Sequence, residues 1–184
     1  MNNITQDKNI SGDSENWANW MSVLGPKTCE DCKDNHGKIF SISILNALKA
    51  RPVGKHPRGR CIYVPMRTRA VGTATNQGEN GADFHLYYYH KLPDYYINKS
   101  TAFLHGWKAG KRDLNKLLPG KMIGGDIYDN ENSKLPVQPG RIWFEADINY
   151  AGGKRRNRQR ILYSNDGLLF ITLDHYHTFY EIIA

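Results

Sequence analysis

Two side chains in the last third of the chain, the carboxylate of Glu145 and the imidazole of His175, are of types that carry protons in catalysis. Between them, residues 154–160 hold five basic residues in seven. A carboxylate can act as a general base, an imidazolium as a general acid, and arginines as phosphate clamps, so these types predict chemistry on a phosphodiester. Taken singly, each has a non-catalytic alternative, because strand glutamates, lone histidines and basic runs are commonly solvated or structural.

The segment around these side chains predicts three short antiparallel strands. Alternation over residues 143–150 places Phe144, Ala146, Ile148 and Tyr150 on one face and Trp143, Glu145, Asp147 and Asn149 on the other. Residues 161–164, a turn at Asn165-Asp166-Gly167 and residues 168–173 predict the next hairpin. An antiparallel sheet can bury one face and leave the other open. We therefore expect Glu145, several arginines and His175 on an open face.

Residues 82–182 resemble the barnase-type microbial ribonucleases, which are guanyl-preferring endoribonucleases of bacteria. The resemblance rests on blocks in family order at nearly family spacing, with one extra residue in the turn 152–156. The blocks are residues 89–94, 96–100, 106–107, 119–121, 123–127, 134–136, 140–141, 143, 145–150, 156–157, 160–164 and 174–176, with 178–179 after them. The resemblance covers more than half of the chain.

This resemblance implies a metal-independent mechanism that needs no cofactor. Glu145 takes the proton of the ribose 2′-hydroxyl, His175 protonates the departing 5′-oxygen, and the product is a 2′,3′-cyclic phosphate. The stabilising cations that the resemblance implies are Lys99, Arg156 and Arg160, with Arg155 in place of Arg156 if the extra residue follows Arg155.

We also expect the cations to keep Glu145 ionised, and a nearby carboxylate to help keep His175 protonated. The resemblance implies further that Tyr176 flanks the scissile phosphate.

The base-recognition segment departs from the family pattern. Relatives show Asn-Arg-Glu-Gly before Lys-Leu-Pro, whereas residues 130–133 here are Asn-Glu-Asn-Ser. The predicted base-binding residues are Asp129, Asn130, Glu131 and Asn132. Asn132 takes the place of the glutamate that accepts hydrogen bonds from guanine. An amide is a neutral, mixed donor and acceptor, so we expect a weakened or altered guanine preference.

The fold class predicted for this part is α+β, with short N-terminal helices packed on a C-terminal antiparallel sheet. One helix should end near His90, because Leu92-Pro93 follows. Asn98 should cap a second helix that runs to about Gly106, and Asp113 a third. Strands should dominate from Met122 onward.

The chain divides on composition into a polar segment at residues 1–25, a small Cys/His unit at 26–66, a linker at 67–81 and a ribonuclease domain at 82–184. A net charge of +7 over 184 residues predicts a polyanionic partner, with RNA foremost. No apolar run reaches membrane-spanning length, and the start lacks the pattern of a secretory signal. We expect a protein kept inside the cell, or one delivered as part of a larger secreted or virion-borne protein.

The Cys/His unit contains Cys29-x-x-Cys32, and His56 with four residues between it and Cys61. Three thiolates and an imidazole would complete a tetrahedral structural zinc site, with His36 as a spare ligand. The alternatives are a disulfide that leaves one cysteine over, a redox Cys-x-x-Cys, and three unconnected buried cysteines.

Residues 26–66 are also similar to the Cys-bearing C-terminal region of phage Mu-type head-morphogenesis proteins, through the block at residues 52–61. That similarity implies a toxin carried by a larger carrier or phage head protein. The ribonuclease resemblance implies in turn an acidic, barstar-like immunity protein as a partner. The rival functions are a non-catalytic nucleic-acid-binding module and a structural phage head protein.

Overall fold

The computed structural model describes residues 13–43 and 61–184, with side chains from residue 16 onward. His56 lies outside the described residues. The chain forms two compact units: a larger one of Thr68–Asp129 with Arg141–Ala184, and a smaller one that joins the described residues between Gly12 and Arg67 to Asn130–Gly140. The α+β class predicted from the sequence is confirmed. No helix in the described part of the chain is both long and apolar enough to span a membrane.

The helices of the larger unit begin and end close to the capping and helix-ending residues that the sequence predicted. Helix α2 is Ala82–Tyr89, and His90 follows it with a left-handed backbone. Helix α3 is Lys99–Leu104, capped by the Asn98 side chain, which accepts a hydrogen bond from the Thr101 amide at 2.7 Å. Helix α4 is Leu114–Leu117, capped by Asp113 through the Asn115 amide at 3.0 Å. Each cap satisfies an amide that has no partner within the helix.

The strands of the larger unit follow the helices. They are β4 (Tyr96–Ile97), β5 (Met122–Ile127), β6 (Trp143–Asp147), β7 (Arg160–Ser164), β8 (Leu169–Thr172) and β9 (Tyr180–Ile183). They lie in the order β9-β8-β7-β6-β5-β4. Pairing is antiparallel except for β4, which runs parallel to β5. The sheet therefore differs at one edge from the wholly antiparallel one that was expected.

Both faces of the central strands are covered. On one face, Ala146, Ile148, Ile161 and Ile171 pack with residues that include Leu86 of α2. On the other face, which was expected to be open, Trp143 packs near Phe170 with ring centroids 5.8 Å apart. Trp143, Glu145 and Asp147, which alternate along β6, are all buried.

A second core holds the region around α3 and α4. It contains Ala102, Trp107, Leu114 and Ile123, all almost fully buried. This core anchors the start of α3, where Lys99 lies, against β5.

The residues predicted to be a linker, 67–81, contain regular structure. They include the end of a strand, β3 (Cys61–Ala70), and a 3₁₀ helix at Gly78–Asn80. The buried Asp83 carboxylate of α2 accepts hydrogen bonds from the Ala74 amide at 3.0 Å and the Thr75 hydroxyl at 2.8 Å. The division of the chain into four parts remains a prediction.

The smaller unit contains strands that the sequence did not suggest. They are β1 (Asp13–Ser22), β2 (Ile39–Ser41) and β3 (Cys61–Ala70), in the order β2-β1-β3, with helix α1 (Glu30–Asn35) between β1 and β2. Strand β1 is rich in Asp, Asn and Ser, which have low strand propensity, so pairing with β2 and β3 has to hold it extended.

Candidate active site

Glu145 lies in the middle of β6 and is only 7% exposed. The Lys99 ammonium donates a hydrogen bond to its Oε1 at 2.7 Å, and the Tyr176 hydroxyl donates one to its Oε2. The Arg156 guanidinium lies 3.9 Å from the same carboxylate. A buried carboxylate with three polar partners is fixed in position before any substrate arrives.

Lys99 reaches Glu145 because it is the first residue of α3. Its backbone amide donates to both oxygens of Asp126 on β5, at 3.2 and 3.1 Å. Asp126 is the pairing partner of Glu145 in the β5–β6 ladder. The carboxylate of Asp126 therefore fixes the helix start from the neighbouring strand.

The two arginines Arg156 and Arg160 converge on Asp147, which is 1% exposed. Arg156 Nε donates to both carboxylate oxygens of Asp147, at 3.0 and 2.8 Å. Arg160 Nε lies 3.0 Å from Oδ1 without hydrogen-bond alignment, and its Nη1 donates to the carbonyls of Asn157 and Gln159. The side chain of Arg155 is exposed, so Arg156 is the residue of this pair that reaches Glu145.

His175 lies in a tight turn after β8, and its side chain is exposed. Its φ is +62° and that of Tyr176 is +67°, both in the left-handed region that non-glycine residues seldom adopt. The Asp174 carboxylate accepts hydrogen bonds from the amides of His177 and Thr178, and the His175 amide donates to the Arg158 carbonyl at 3.0 Å. These bonds hold the turn in its strained shape, which brings the imidazole next to Tyr176, with ring centroids 4.7 Å apart.

The environment lowers the pKa of Glu145. Burial, the largest influence, acts to raise this pKa, but hydrogen bonds from Lys99 and Tyr176 and the charges of Lys99 and Arg156 outweigh it. The carboxyl group is ionised at neutral pH, as expected from the sequence.

The pKa of His175 is also lowered, which differs from the expectation of a protonated resting state. Partial desolvation of the exposed ring contributes most, and the positive charges of Arg160 and Arg158 add to it. The charge of Glu145 acts on this pKa in the expected upward direction, but the other influences prevail. Tyr176 links the two side chains, because its hydroxyl donates to the Glu145 carboxylate and its ring lies beside the His175 imidazole.

Two further residues of this site did not stand out in the sequence. Asp147 was assigned to the same strand face as Glu145, but its place between two arginines depends on a loop that returns at residue 156. Tyr128 stacks on Tyr176 with ring centroids 5.1 Å apart, and its amide donates to the Trp143 carbonyl at 2.8 Å. The sequence around Tyr128 does not predict its place in the site, because Tyr176 and Trp143, which it contacts, are distant in the chain.

Comparison with known proteins identifies relatives of this chain. A family model described as ribonuclease matches residues 85–183, more than half of the chain. A ribonuclease of Heyndrickxia coagulans is 48% identical over 103 residues, which cover 56% of this chain and 94% of that protein. Ribonucleases of Bacillus intermedius and Bacillus pumilus are likewise 48% identical over 103 residues, and this chain spans 63% of the length of each.

The chain belongs to the barnase-type ribonuclease family. The resemblance drawn from the sequence blocks is thereby confirmed, and with it endoribonuclease activity, the cleavage of RNA phosphodiester bonds.

The predicted base-binding segment of this ribonuclease has mixed exposure. Asp129, Glu131 and Asn132 are exposed. Asn130 instead serves the loop itself, since its side chain donates to the Leu135 carbonyl at 2.8 Å and accepts from the Leu135 amide at 3.1 Å. Its amide group is therefore already paired within the segment.

The three cysteines of the ribonuclease lie together in the smaller unit. Cys32 and Cys61 are buried with sulfurs 3.0 Å apart, and Cys29 Sγ accepts a hydrogen bond from the Cys32 amide at 3.4 Å. All three are free thiols and pack around Trp20. Within residues 13–43 and 61–184, no group of three or more His, Cys, Asp or Glu side chains is arranged to hold a metal ion. His56, the fourth ligand predicted beside Cys29, Cys32 and Cys61, lies outside these residues.

Proposed function

We propose that this ribonuclease cleaves single-stranded RNA by metal-independent transesterification, with Glu145 as general base and His175 as general acid. The ionised, buried carboxylate of Glu145, joined through Tyr176 to the His175 turn, is the observation that carries the proposal. RNA supplies its own nucleophile, so the protein has only to move two protons and stabilise charge.

The proposed reaction exchanges one phosphorus–oxygen bond for another. The ribose 2′-oxygen forms a bond to phosphorus while Glu145 accepts the hydroxyl proton, and the bond from phosphorus to the 5′-oxygen breaks while protonated His175 supplies a proton to that oxygen. The products are a 2′,3′-cyclic phosphate and a free 5′-hydroxyl. His175 is exposed in its turn, whereas Glu145 is buried in the sheet. The two groups would therefore approach the ribose–phosphate junction from different sides.

Lys99, Arg156 and Arg160 would stabilise the negative charge that gathers on the phosphoryl oxygens. Arg156 and Arg160 are held by Asp147, and Lys99 by Glu145, so their charges are oriented before substrate binds. Preorganised charges of this kind need little rearrangement during the reaction. Tyr176 and the exposed Arg155 would contact the substrate beside the scissile phosphate.

Alanine substitutions of the two proton-transfer groups test this assignment. His175→Ala should remove nearly all RNA cleavage, and Glu145→Ala should leave residual activity, because a base and an acid each typically supply a factor of about 10² to 10⁴. The measurement is the initial rate of RNA cleavage by the purified full chain. His105→Ala, at another exposed histidine of the same unit, should cleave at the unaltered rate. Cleavage by His175→Ala at a rate comparable to that of the unaltered protein would reject the assignment.

A non-catalytic RNA-binding module is the second candidate function, and the charge of +7 is the feature that favours it. Incubation with RNA in the presence of EDTA separates the two functions. Cleavage that persists in EDTA supports the proposed mechanism, whereas binding without cleavage supports the rival.

We propose further that Cys29, Cys32, Cys61 and His56 hold a structural zinc ion. The three cysteines pack together in one cluster of buried and partly buried side chains, which supports this site. Tetrahedral ligation at Zn–S distances of about 2.3 Å separates sulfurs by about 3.8 Å. The sulfurs of Cys32 and Cys61, 3.0 Å apart, would therefore have to move apart by about 0.8 Å to bind zinc. Metal analysis of the full chain beside Cys32→Ser tests the site, with one equivalent of zinc expected only in the unaltered protein.

The biological setting proposed from the sequence is a toxin effector fused to a phage-head-like carrier, delivered or kept with that carrier. An acidic, barstar-like immunity protein would then be its partner. The net positive charge suits an acidic inhibitor. Co-purification of the full chain with the product of a neighbouring gene tests this partner.

A further inference from the structure

Strand β2 of the smaller unit has one edge that does not face β1. On the β1 side, the Trp20 amide donates to the Lys38 carbonyl at 2.9 Å and the Gly37 amide to the Trp20 carbonyl at 2.7 Å. Ile39 is the next residue, and its amide points the other way. It donates to the carbonyl of Lys134 at 2.9 Å. The β2 strand thus binds a backbone segment from a distant part of the chain.

That segment, Asn130–Gly140, belongs to the same compact unit as β1 and β2. Its Leu135 is fully buried and Ile39 is 4% exposed. The segment is also held internally by two hydrogen bonds between the Asn130 side chain and the Leu135 backbone, which we call the Asn130 brace. Two independent attachments therefore fix this loop: one internal, and one to the part of the chain that precedes the family match.

The loop connects the two strands that carry the proposed site. Strand β5 ends one residue before Tyr128, whose ring stacks on Tyr176, and β6 carries Glu145. The residues proposed to read the base, Asp129 to Asn132, follow Tyr128 directly. A shift of the loop at Lys134 would be transmitted to these residues over two to five peptide bonds.

We propose that the β2 strand positions the β5–β6 loop through the Ile39 amide, and that this N-terminal contact helps to set the base preference of the enzyme. The inference rests on the proposed function of the loop. In this role Ile39 is a positioning residue that does not touch RNA. The Asn130 brace keeps the loop closed on itself, while the Ile39 bond fixes where the closed loop lies.

Proline at position 39 tests this proposal, because it removes the amide hydrogen without removing a bond to β1. The control is Ile39→Val, which keeps the amide and the apolar contact. The readout is the ratio of kcat/KM for guanine over adenine dinucleotides. We expect Ile39→Pro to change this ratio by about two- to tenfold, mainly through KM, because a typical hydrogen bond is worth that much. Ile39→Val should leave the ratio unchanged.

Amide hydrogen exchange in the unaltered full chain gives a second measurement that does not depend on the variant folding. The Ile39 amide should be protected and should exchange in step with the Leu135 amide. Rapid exchange at Ile39, or equal ratios for the proline and valine variants in proteins that cleave RNA, would overturn the inference. If the unaltered protein cleaves no RNA, the proposed function fails instead, while exchange still tests the contact.

Discussion

Glu145 combines burial with full ionisation, and its hydrogen bonds explain how. A carboxylate 7% exposed would ordinarily take up a proton, but Lys99 and Tyr176 each donate to one of its oxygens. A base that is already ionised and oriented can accept the 2′-hydroxyl proton without waiting for its own deprotonation. The same hydrogen bonds make it a weaker base, so binding of the phosphate, which competes for Lys99, should strengthen it.

The lowered pKa values of Glu145 and His175 fix the pH dependence of kcat/KM, which reports the free enzyme. Glu145 has to be ionised, so activity is lost as pH falls through its lowered pKa. His175 has to be protonated, so activity is lost as pH rises through its pKa, which lies below the ordinary value of about 6.5. We therefore expect kcat/KM to begin falling with rising pH at a pH below about 6.5.

Arg158→Gln should move the alkaline limb to higher pH. The charge of Arg158 lowers the pKa of His175, so its removal lets that pKa rise, while the Arg158 carbonyl that holds the His175 amide is kept. The measurement is kcat/KM against pH for a dinucleotide at constant ionic strength. Lys154→Gln removes the same charge from the same exposed turn and should shift the limb less. An alkaline limb that stays in place in Arg158→Gln would contradict the role given to His175.

Strands β5 and β6 approach closely where the site is built. A Cβ placed on Gly124 would lie 2.5 Å from the Ala146 Cβ and 2.6 Å from a ring carbon of Tyr96. Glycine is required there because β4 and β6 both press against β5. The Asp126–Glu145 pair follows directly, after a bulge in β5 between Gly124 and Asp126.

Gly124→Ala should therefore destabilise the fold by about 1–3 kcal/mol, the usual cost of overpacking. Urea unfolding followed by circular dichroism measures the change in the free energy of unfolding. Gly25→Ala is the control, because nothing lies within 4 Å of a Cβ there. A Gly124→Ala protein as stable as the control would show that β4 and β6 can move apart freely.

The loop after β5 is where base preference should respond to a single change. Asn132 is exposed and stands where relatives have a base-binding glutamate, so Asn132→Glu should restore hydrogen-bond acceptors for guanine. We expect the guanine preference in a dinucleotide series to rise by about tenfold or more. Gln138→Glu, which adds the same charge at another exposed position of this loop, serves as the control. A guanine preference that is already sharp in the unaltered protein would contradict the role assigned to Asn132.

The elements that the sequence predicted correctly are those with a local signal, such as a helix cap or an alternation of apolar and polar residues. Asn98 and Asp113 are caps because their side chains bond amides two or three residues later, so short segments suffice to find helices α3 and α4. Alternation also placed Glu145 correctly on the face opposite Ala146. The covering of that face, the burial of Asp147 and the strands β1 and β3 depend on pairing between distant segments, which leaves no local pattern.

At the scale of the whole molecule, the smaller unit is the least expected feature. It takes in Asn130–Gly140 from within the span matched by the family model, so residues outside that span help to hold a loop inside it. The excess of positive charge, +7, draws RNA toward the enzyme but has no means of choosing the bond that is cut. In the proposed mechanism, that choice belongs to the geometry around Glu145 and His175.

The most direct test of this account uses a dinucleotide whose ribose lacks only the 2′-hydroxyl at the scissile position. The full chain, in buffer with EDTA, is incubated with this substrate and with its all-ribose counterpart, and the products are resolved by mass. The account predicts a 2′,3′-cyclic phosphate from the all-ribose dinucleotide and no cleavage of the deoxy one. Cleavage of the deoxy substrate at a comparable rate would contradict it, because the nucleophile would then come from elsewhere.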